Sequence, residues 1–294
     1  MRREQDDRTE QAPVSGDPFP ILHARSRSYY WKGNGALSIK TFRNGRAFYE
    51  TGRGHYAVEE ESYLLLNAGQ DYSISIESET LVESFCLFFP RRLADEVYTG
   101  LICSAGQLLD RPDRSAAGEV EFVERTYHQE VRMAAVLNGL RQEYGSGRLE
   151  PLGLEEALHG LAQELLLAHS RVQSEMEGIS ALKASTREEL YRRVRAGHEY
   201  LTAYFAEPVR LADAARASCL SPNHFLRSYR ELFGMSPHQY LTEKRLQEAR
   251  KLLLRTDKTV TAICLEVGLQ SPGSFSSLFA RRFGTSPSRL RSKK

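Results

Sequence analysis

One seventeen-residue frame is written twice in this chain. SPNHFLRSYRELFGMSP (221–237) and SPGSFSSLFARRFGTSP (271–287) both read Ser-Pro-x-x-Phe-x-x-x-aromatic-x-x-x-Phe-Gly-x-Ser-Pro. A frame repeated at this interval signals a repeated supersecondary unit. Each copy is preceded by a short amphipathic segment and a tight turn, LADAARASCL (211–220) and VTAICLEVGLQ (260–270). Ser221 can cap a helix whose first residue, Pro222, needs no N–H. Phe225 and Tyr229, like Phe275 and Phe279, fall at i and i+4 on one buried face. Phe233 or Phe283 extends that face, and Gly234 or Gly284 ends the helix. Ala215 and Cys264 hold equivalent small-residue positions where two helices approach. Gly268 suits a positive-φ turn, and the first copy has Cys219 there. Helix, tight turn and second helix make a helix-turn-helix, here twice. The shared letters are structural. The letters that differ face outward: Asn223, His224, Leu226 and Arg227 in the first copy, Gly273, Ser274, Ser276 and Ser277 in the second.

The net charge of +2 conceals an asymmetry. Residues 186–294 carry 20 Lys and Arg against 10 Asp and Glu, whereas residues 1–185 carry 20 against 28. A compact basic region beside an acidic one points to a polyanionic partner. The 294 residues suffice for two domains. No apolar run approaches the ~20 residues of a membrane span, and the charged N-terminus lacks a secretory core. Cys86, Cys103, Cys219 and Cys264 are scattered, with no C-x-x-C pair. They read as buried thiols in a reducing cytoplasm, with no disulfide framework and no zinc site.

Across residues 190–290 the chain resembles the DNA-binding domain of the AraC/XylS family of bacterial transcription regulators. The resemblance rests on Pro208-Val209-Arg210-Leu211, Ala215, SPNHF (221–225), FGMSP (233–237), RLQEARKLLL (245–254), VTAI (260–263), VGL (267–269) and FGTSPSRLR (283–291), in the family's order and spacing. It implies seven helices, with two helix-turn-helix units joined by a long helix near Pro237–Leu254. It further implies reading helices in successive major grooves about one helical turn apart. Carried over position by position, Asn223, Leu226 and Arg227 face base edges in the first unit, and Gly273, Ser274, Ser276 and Ser277 in the second. Arg227 is the strongest reader, since a guanidinium bonds guanine O6 and N7 together. Many members have arginine where Ser277 stands and phenylalanine where Leu269 stands, so the first unit is expected to dominate specificity. His224, Arg230, Arg281 and Arg282 are expected on phosphates.

Residues 1–20 read as a disordered tail. Residues 36–42 alternate as a strand, Arg43-Asn44-Gly45 offers a hairpin turn, and 45–50, 62–69, 72–77 and 81–90 continue as short strands. RRLADEVYTGL is a helix candidate, 119–127 a further strand, and 128–147 and 151–176 helices. Leu154, Leu158, Leu161 and Leu165 form one stripe that must bury against its own domain or a second copy of itself. Residues 177–185 are taken as the linker, with Ser185 and Glu188 as a capping box for the next helix. The expected fold is mixed. A cupin-like β-barrel with appended helices, of the kind the family uses to sense small molecules and dimerise, spans 21–176, and an all-α DNA-binding domain spans 186–294.

Metal-dependent cupins need several histidines and a carboxylate. The strand region has His55, with His23 upstream, and no H-x-H. No catalytic triad or phosphate loop stands out, so no cofactor and no catalysis are expected. Tyr29, Tyr30, Trp31, Phe42, Phe48, Tyr49, Tyr56, Tyr63 and Tyr72 supply either barrel core or an apolar effector pocket. The expected protein is a cytoplasmic, dimeric regulator binding double-stranded promoter DNA, with RNA polymerase a further partner if it activates. The rivals are a cupin-type enzyme fused to a DNA-binding domain and a non-specific architectural binder.

Overall fold

The computed structural model describes residues 20–52, 54–103, 120–180 and 183–292. The expected tail lies outside these residues except for Pro20, as do residues 181 and 182 of the expected linker. The chain divides into two units, Met1–Gly52 with Val58–Gln173, and Arg53–Ala57 with Ser174–Lys294.

The N-terminal part is an antiparallel near-barrel sheet. Its strands are β1 (Ile21–Asn34), β2 (Ser38–Arg43), β3 (Ala47–Thr51), β4 (Gly54–Val58), β5 (Ser62–Leu66), β6 (Asp71–Phe88) and β7 (Thr126–His128), in the order β4-β3-β6-β2-β5-β7, with β1 also paired to β6. The turn between β2 and β3 uses Asn44 at φ 60, as the Asn-Gly pair requires. The expected strands at 72–77 and 81–90 belong to one long strand, β6. Its pairing with β1 shifts register between Ser26 and Ser28, so that Ser26 faces Val82 while Ser28 faces Glu77. Ser78, Glu79, Thr80 and Leu81 are the extra residues of β6 at this bulge, and the three polar ones are why the sequence looks broken there. β1 and β4 carry no apolar alternation and were not expected. Only the end of the expected strand at 119–127 is one. The rest is held by Asn67, whose amide donates to the Phe122 carbonyl at 2.9 Å and accepts from Phe122 N at 3.0 Å.

Among the described residues three helices follow within this region, α1 (Leu93–Ile102), α2 (Val131–Gly145) and α3 (Pro151–Glu177). Leu154, Leu158, Leu161 and Leu165 are all buried within the single chain, so the stripe needs no second copy to cover it. Ion pairs Arg132–Glu164 (3.3 Å) and Arg171–Glu130 tie α3 to the start of α2. Arg141 of α2 is buried and donates to Thr41 Oγ1 at 2.9 Å. Burial, then the neighbouring Arg43 charge, pulls its pKa down to about 10, and it stays charged at neutral pH.

Among the described residues the C-terminal part has seven helices: α4 (Ala184–Ala203), α5 (Leu211–Ala217), α6 (Pro222–Phe233), α7 (Pro237–Arg255), α8 (Val260–Glu266), α9 (Pro272–Phe283) and α10 (Pro287–Arg291). Ser185 is not the cap of α4. The helix starts at Ala184 after an extended Lys183, with no side-chain cap. Thr186 N and Arg187 N donate to the Lys183 carbonyl instead. The end of α3 also packs in this unit. Glu175 Oε2 accepts from Tyr191 Oη at 2.6 Å and from Arg195 Nη2 at 2.7 Å.

Candidate nucleic-acid interface

Each reading helix is built from capping chemistry legible in its sequence. Ser221 Oγ accepts from His224 N at the start of α6, and Ser271 Oγ accepts from Ser274 N at the start of α9. Pro222 and Pro272 open the two helices, and Gly234 (φ 68) and Gly284 (φ 69) close them in the left-handed region. Phe225 and Tyr229 in α6, and Phe275 and Phe279 in α9, are fully buried. Ala215 and Cys264 are buried in the preceding helices, as the close approach of two helices demands.

Around these anchors lie two separate cores. The first gathers Val194, Leu201, Ala214, Ala215, Phe225 and Tyr229. It has a polar centre. His198 Nδ1 hydrogen-bonds the Tyr229 hydroxyl at 2.9 Å, and the His198 ring stacks on Phe233 with centroids 4.4 Å apart. Burial pushes the Tyr229 phenol well above its ordinary value, so it stays protonated. The second core includes Phe205, Leu241, Leu253, Ile263, Phe275 and Phe279, with Cys264 donating its thiol to the Leu269 carbonyl at 3.2 Å. Helix α7 contributes to it and, through Arg245, grips the loop after α4. The guanidinium donates to the Phe205 carbonyl at 2.7 Å and to the Glu207 carbonyl at 2.8 Å.

The outward faces differ. Asn223 and Arg227 are exposed on α6, with Leu226 and His224 half-buried beside them. On α9 Gly273, Ser274 and Ser277 are exposed and Ser276 half-buried. The Ser277 hydroxyl already donates to the Gly273 carbonyl at 3.1 Å, so it offers a base edge only its acceptor capacity in this rotamer. Arg230 and Arg281 are exposed. Arg282 is also exposed, but its Nε is held by both Glu243 oxygens, at 2.8 and 2.7 Å. That hydrogen bond, reinforced by the opposite charge, lowers the Glu243 carboxyl below its ordinary pKa. Sequence reasoning missed this pairing because Glu243 sits 39 positions away, on α7.

Among the described residues no group of three or more His, Cys, Asp or Glu could hold a metal ion, and no helix is long and apolar enough to cross a membrane. His23 instead pairs with Glu83 at 2.6 Å.

The chain matches the family described as "Helix-turn-helix domain" over residues 214–293. It is similar to the HTH-type transcriptional activator RhaS of Klebsiella pneumoniae, 28% identical over 281 residues that cover 92% of this chain and 96% of that protein. It is also similar to the HTH-type transcriptional regulator ExsA of Pseudomonas aeruginosa, 29% identical over 103 residues, 35% of this chain and 37% of that protein. The chain thus spans just over a third of the length of ExsA, and 27% of an uncharacterized HTH-type regulator of Haemophilus influenzae that it matches at 40% identity. Among solved structures, the DNA-binding domain of AdpA in complex with a target DNA is 26% identical, with a TM-score of 0.33, covering 34% of this chain and 91% of that one. The C-terminal region is thus a helix-turn-helix domain, and the proteins the chain is similar to are HTH-type transcription regulators.

Proposed function

We propose that the protein binds promoter DNA sequence-specifically through α6 and α9 and that the N-terminal unit controls this binding as a homodimer responding to a small effector. The observation that carries the reading is the pair of reading helices. Both are capped by serine, opened by proline and anchored by two buried aromatics, while their outward residues differ. A binder working by charge alone needs no such pair. Asn223, Leu226 and Arg227 read bases in the first unit, with Arg227 dominant. Gly273, Ser274, Ser276 and Ser277 pass close to the groove in the second. His224, Arg230 and Arg281 contact phosphates, and Arg282 does so only by leaving Glu243.

Dimerisation is assigned to α3. Because the Leu154–Leu165 stripe is buried in one chain, the contact falls on the outward side that carries the exposed Leu152 and Leu167. The effector acts by linkage, shifting the protein between arrangements by no more than its differential affinity for them. Activation brings RNA polymerase as a further partner, and the setting is the cytoplasm.

The test is selection of bound sequences from a random DNA pool by the full chain at near-physiological salt. The expected product is two short boxes about one helical turn apart, the pair occurring twice. Retention governed by salt alone, with no enriched motif, would overturn the reading.

A further inference from the structure

Glu231 stands at a place on α6 where the repeated frame puts an arginine on α9. Aligned on that frame, Glu231 matches Arg281. A carboxylate is ill suited to the position in two ways. It lies in the last turn of α6, where the unpaired carbonyls of the helix disfavour negative charge. It also lies one turn from Arg227, on a helix read as entering the groove between lines of phosphates. An arginine suits both circumstances.

What the carboxylate does instead is hold the linker. Ser180, three residues past the end of α3, donates its backbone N–H to Glu231 Oε1 at 2.8 Å, and its side chain bonds the same carboxylate. The bond from the Ser180 side chain, then the bond from its N–H, and after them the Arg227 charge lower the Glu231 carboxyl below its ordinary pKa. It is therefore ionised at neutral pH. The segment leading to Ser180 is pinned on the same unit. Glu175 accepts from Tyr191 and Arg195 of α4, Met176 and Ile179 are buried, and Ile179 N donates to the Met176 carbonyl at 3.1 Å. The chain leaving α3 is thereby delivered to one carboxylate on the first reading helix.

That carboxylate has a second cation within reach. Residues four apart on a helix are neighbours, and Arg227 and Glu231 are both exposed. With the arginine on the N-terminal side, the pair has the weaker of its two orientations. The hydrogen bonds of Ser180 therefore suffice to hold Glu231 while the linker is seated. We infer that Glu231 is a positioning residue for Arg227: bonded to Ser180 it leaves the guanidinium to the DNA, and released by the linker it pairs with Arg227 and draws it off the base edge. Linker docking and base reading are coupled through this one side chain. This rests on the reading of Arg227 as the dominant base reader.

The experiment measures binding of the full chain to its selected site and to copies of that site substituted at each base pair. Arg227→Ala first marks the positions that Arg227 reads. Ser180→Pro then removes the N–H that seats Glu231. It is expected to weaken binding to the selected site about twofold, the strength of an exposed pair one turn apart, and to lower preference by the same factor at the Arg227 positions alone. Glu231→Gln added to Ser180→Pro should restore that preference, because a neutral amide does not draw the guanidinium. Glu231→Gln by itself should leave the preference unchanged, since Ser180 already holds the carboxylate. This last comparison stands even if Ser180→Pro does not fold. Unchanged preference in Ser180→Pro, a loss spread over all positions alike, or a loss that Glu231→Gln fails to restore would overturn the inference. So would a sharpened preference in Glu231→Gln by itself, which would put the carboxylate on Arg227 with the linker seated. If Arg227→Ala relaxes no position, the reading of Arg227 falls first and the inference with it.

Discussion

The two helix-turn-helix units are one scaffold made in two ways, and the differences fall at the turn, the core and the outer face. At the turn, Gly268 adopts φ 81 and Cys219 adopts φ 52 in the equivalent place. Glycine visits this region freely, whereas a residue with a Cβ is strained by about 1–2 kcal/mol. In the core, Tyr229 brings a hydroxyl and a histidine partner where Phe279 brings neither. On the outer face, an exposed arginine and asparagine stand against glycine and serines. The second unit is therefore the simpler in core and turn and offers fewer groups to a base edge. The first tolerates strain and a buried polar pair and carries the exposed arginine and asparagine. Constraint on the scaffold and capacity for recognition are distributed separately.

Gly268→Ala should break the second unit most severely. A Cβ there would overlap the Ala206 carbonyl, lying 2.8 Å from its carbon, and the positive φ adds its own strain. The loop cannot retreat easily, because Arg245 binds the Phe205 and Glu207 carbonyls on either side of Ala206. A loss of about 2–5 kcal/mol is expected, read as a lower denaturant midpoint. A loss below 1 kcal/mol would show that the loop is free to yield.

Next in size is the contrast between the reading faces. Arg227→Ala should cost about 1–3 kcal/mol of binding to the selected site and relax preference at one or two positions. Ser277→Ala should leave affinity and preference nearly unchanged, since that hydroxyl is already spent on the Gly273 carbonyl. The reverse ranking would make the second unit the dominant reader.

These contrasts also show what the sequence could and could not disclose. The reading helices were legible because their ends are written in local chemistry: Ser-Pro at the start, Gly at the end, aromatics four apart. The long helix α7 ends at Arg255, one residue beyond the expected Leu254. The sheet was harder. β1 reads HARSRSYYWKGN through most of its length, with no apolar alternation, because it pairs along β6 while much of its surface stays half-exposed. The bulge at 78–81 was legible only as a gap between two strands. The leucine stripe of α3 was correctly seen as something that must be buried, but periodicity cannot say against what. The burial of Lys40 in β2 gave almost no signal, since a lysine in an alternating strand ordinarily faces water. Pairing between distant positions, such as Arg282 with Glu243, has no local trace at all.

Cys219→Gly sharpens the comparison at the turn from the other side. It removes the strain of φ 52 but frees the unfolded chain as well, and the two effects partly cancel. A net stabilisation of up to about 1 kcal/mol is expected, seen as a raised denaturant midpoint with DNA preference unchanged. A destabilised variant would mean that the cysteine side chain contributes contacts worth more than the strain it brings.

The smallest effect expected is that of Glu243→Gln, and it separates the two arginines at the end of α9. The Glu243 carboxyl has its pKa lowered by Arg282, so its contribution to stability is full above the ordinary carboxylate range. That contribution is lost as pH falls through the lowered folded value. Wild type and variant should therefore differ by no more than about 1 kcal/mol at neutral pH and converge in acid. Binding should change in the opposite sense. Arg282 freed from Glu243 becomes available to a phosphate, adding about one to the slope of log affinity against log salt. Arg281→Ala should lower that slope by a similar amount, while Arg282→Ala in the unaltered background should move it little, because the ion pair already occupies that guanidinium. If Arg282→Ala lowers the slope as much as Arg281→Ala, the pair opens on DNA at negligible cost, and both arginines count as phosphate contacts of the second unit.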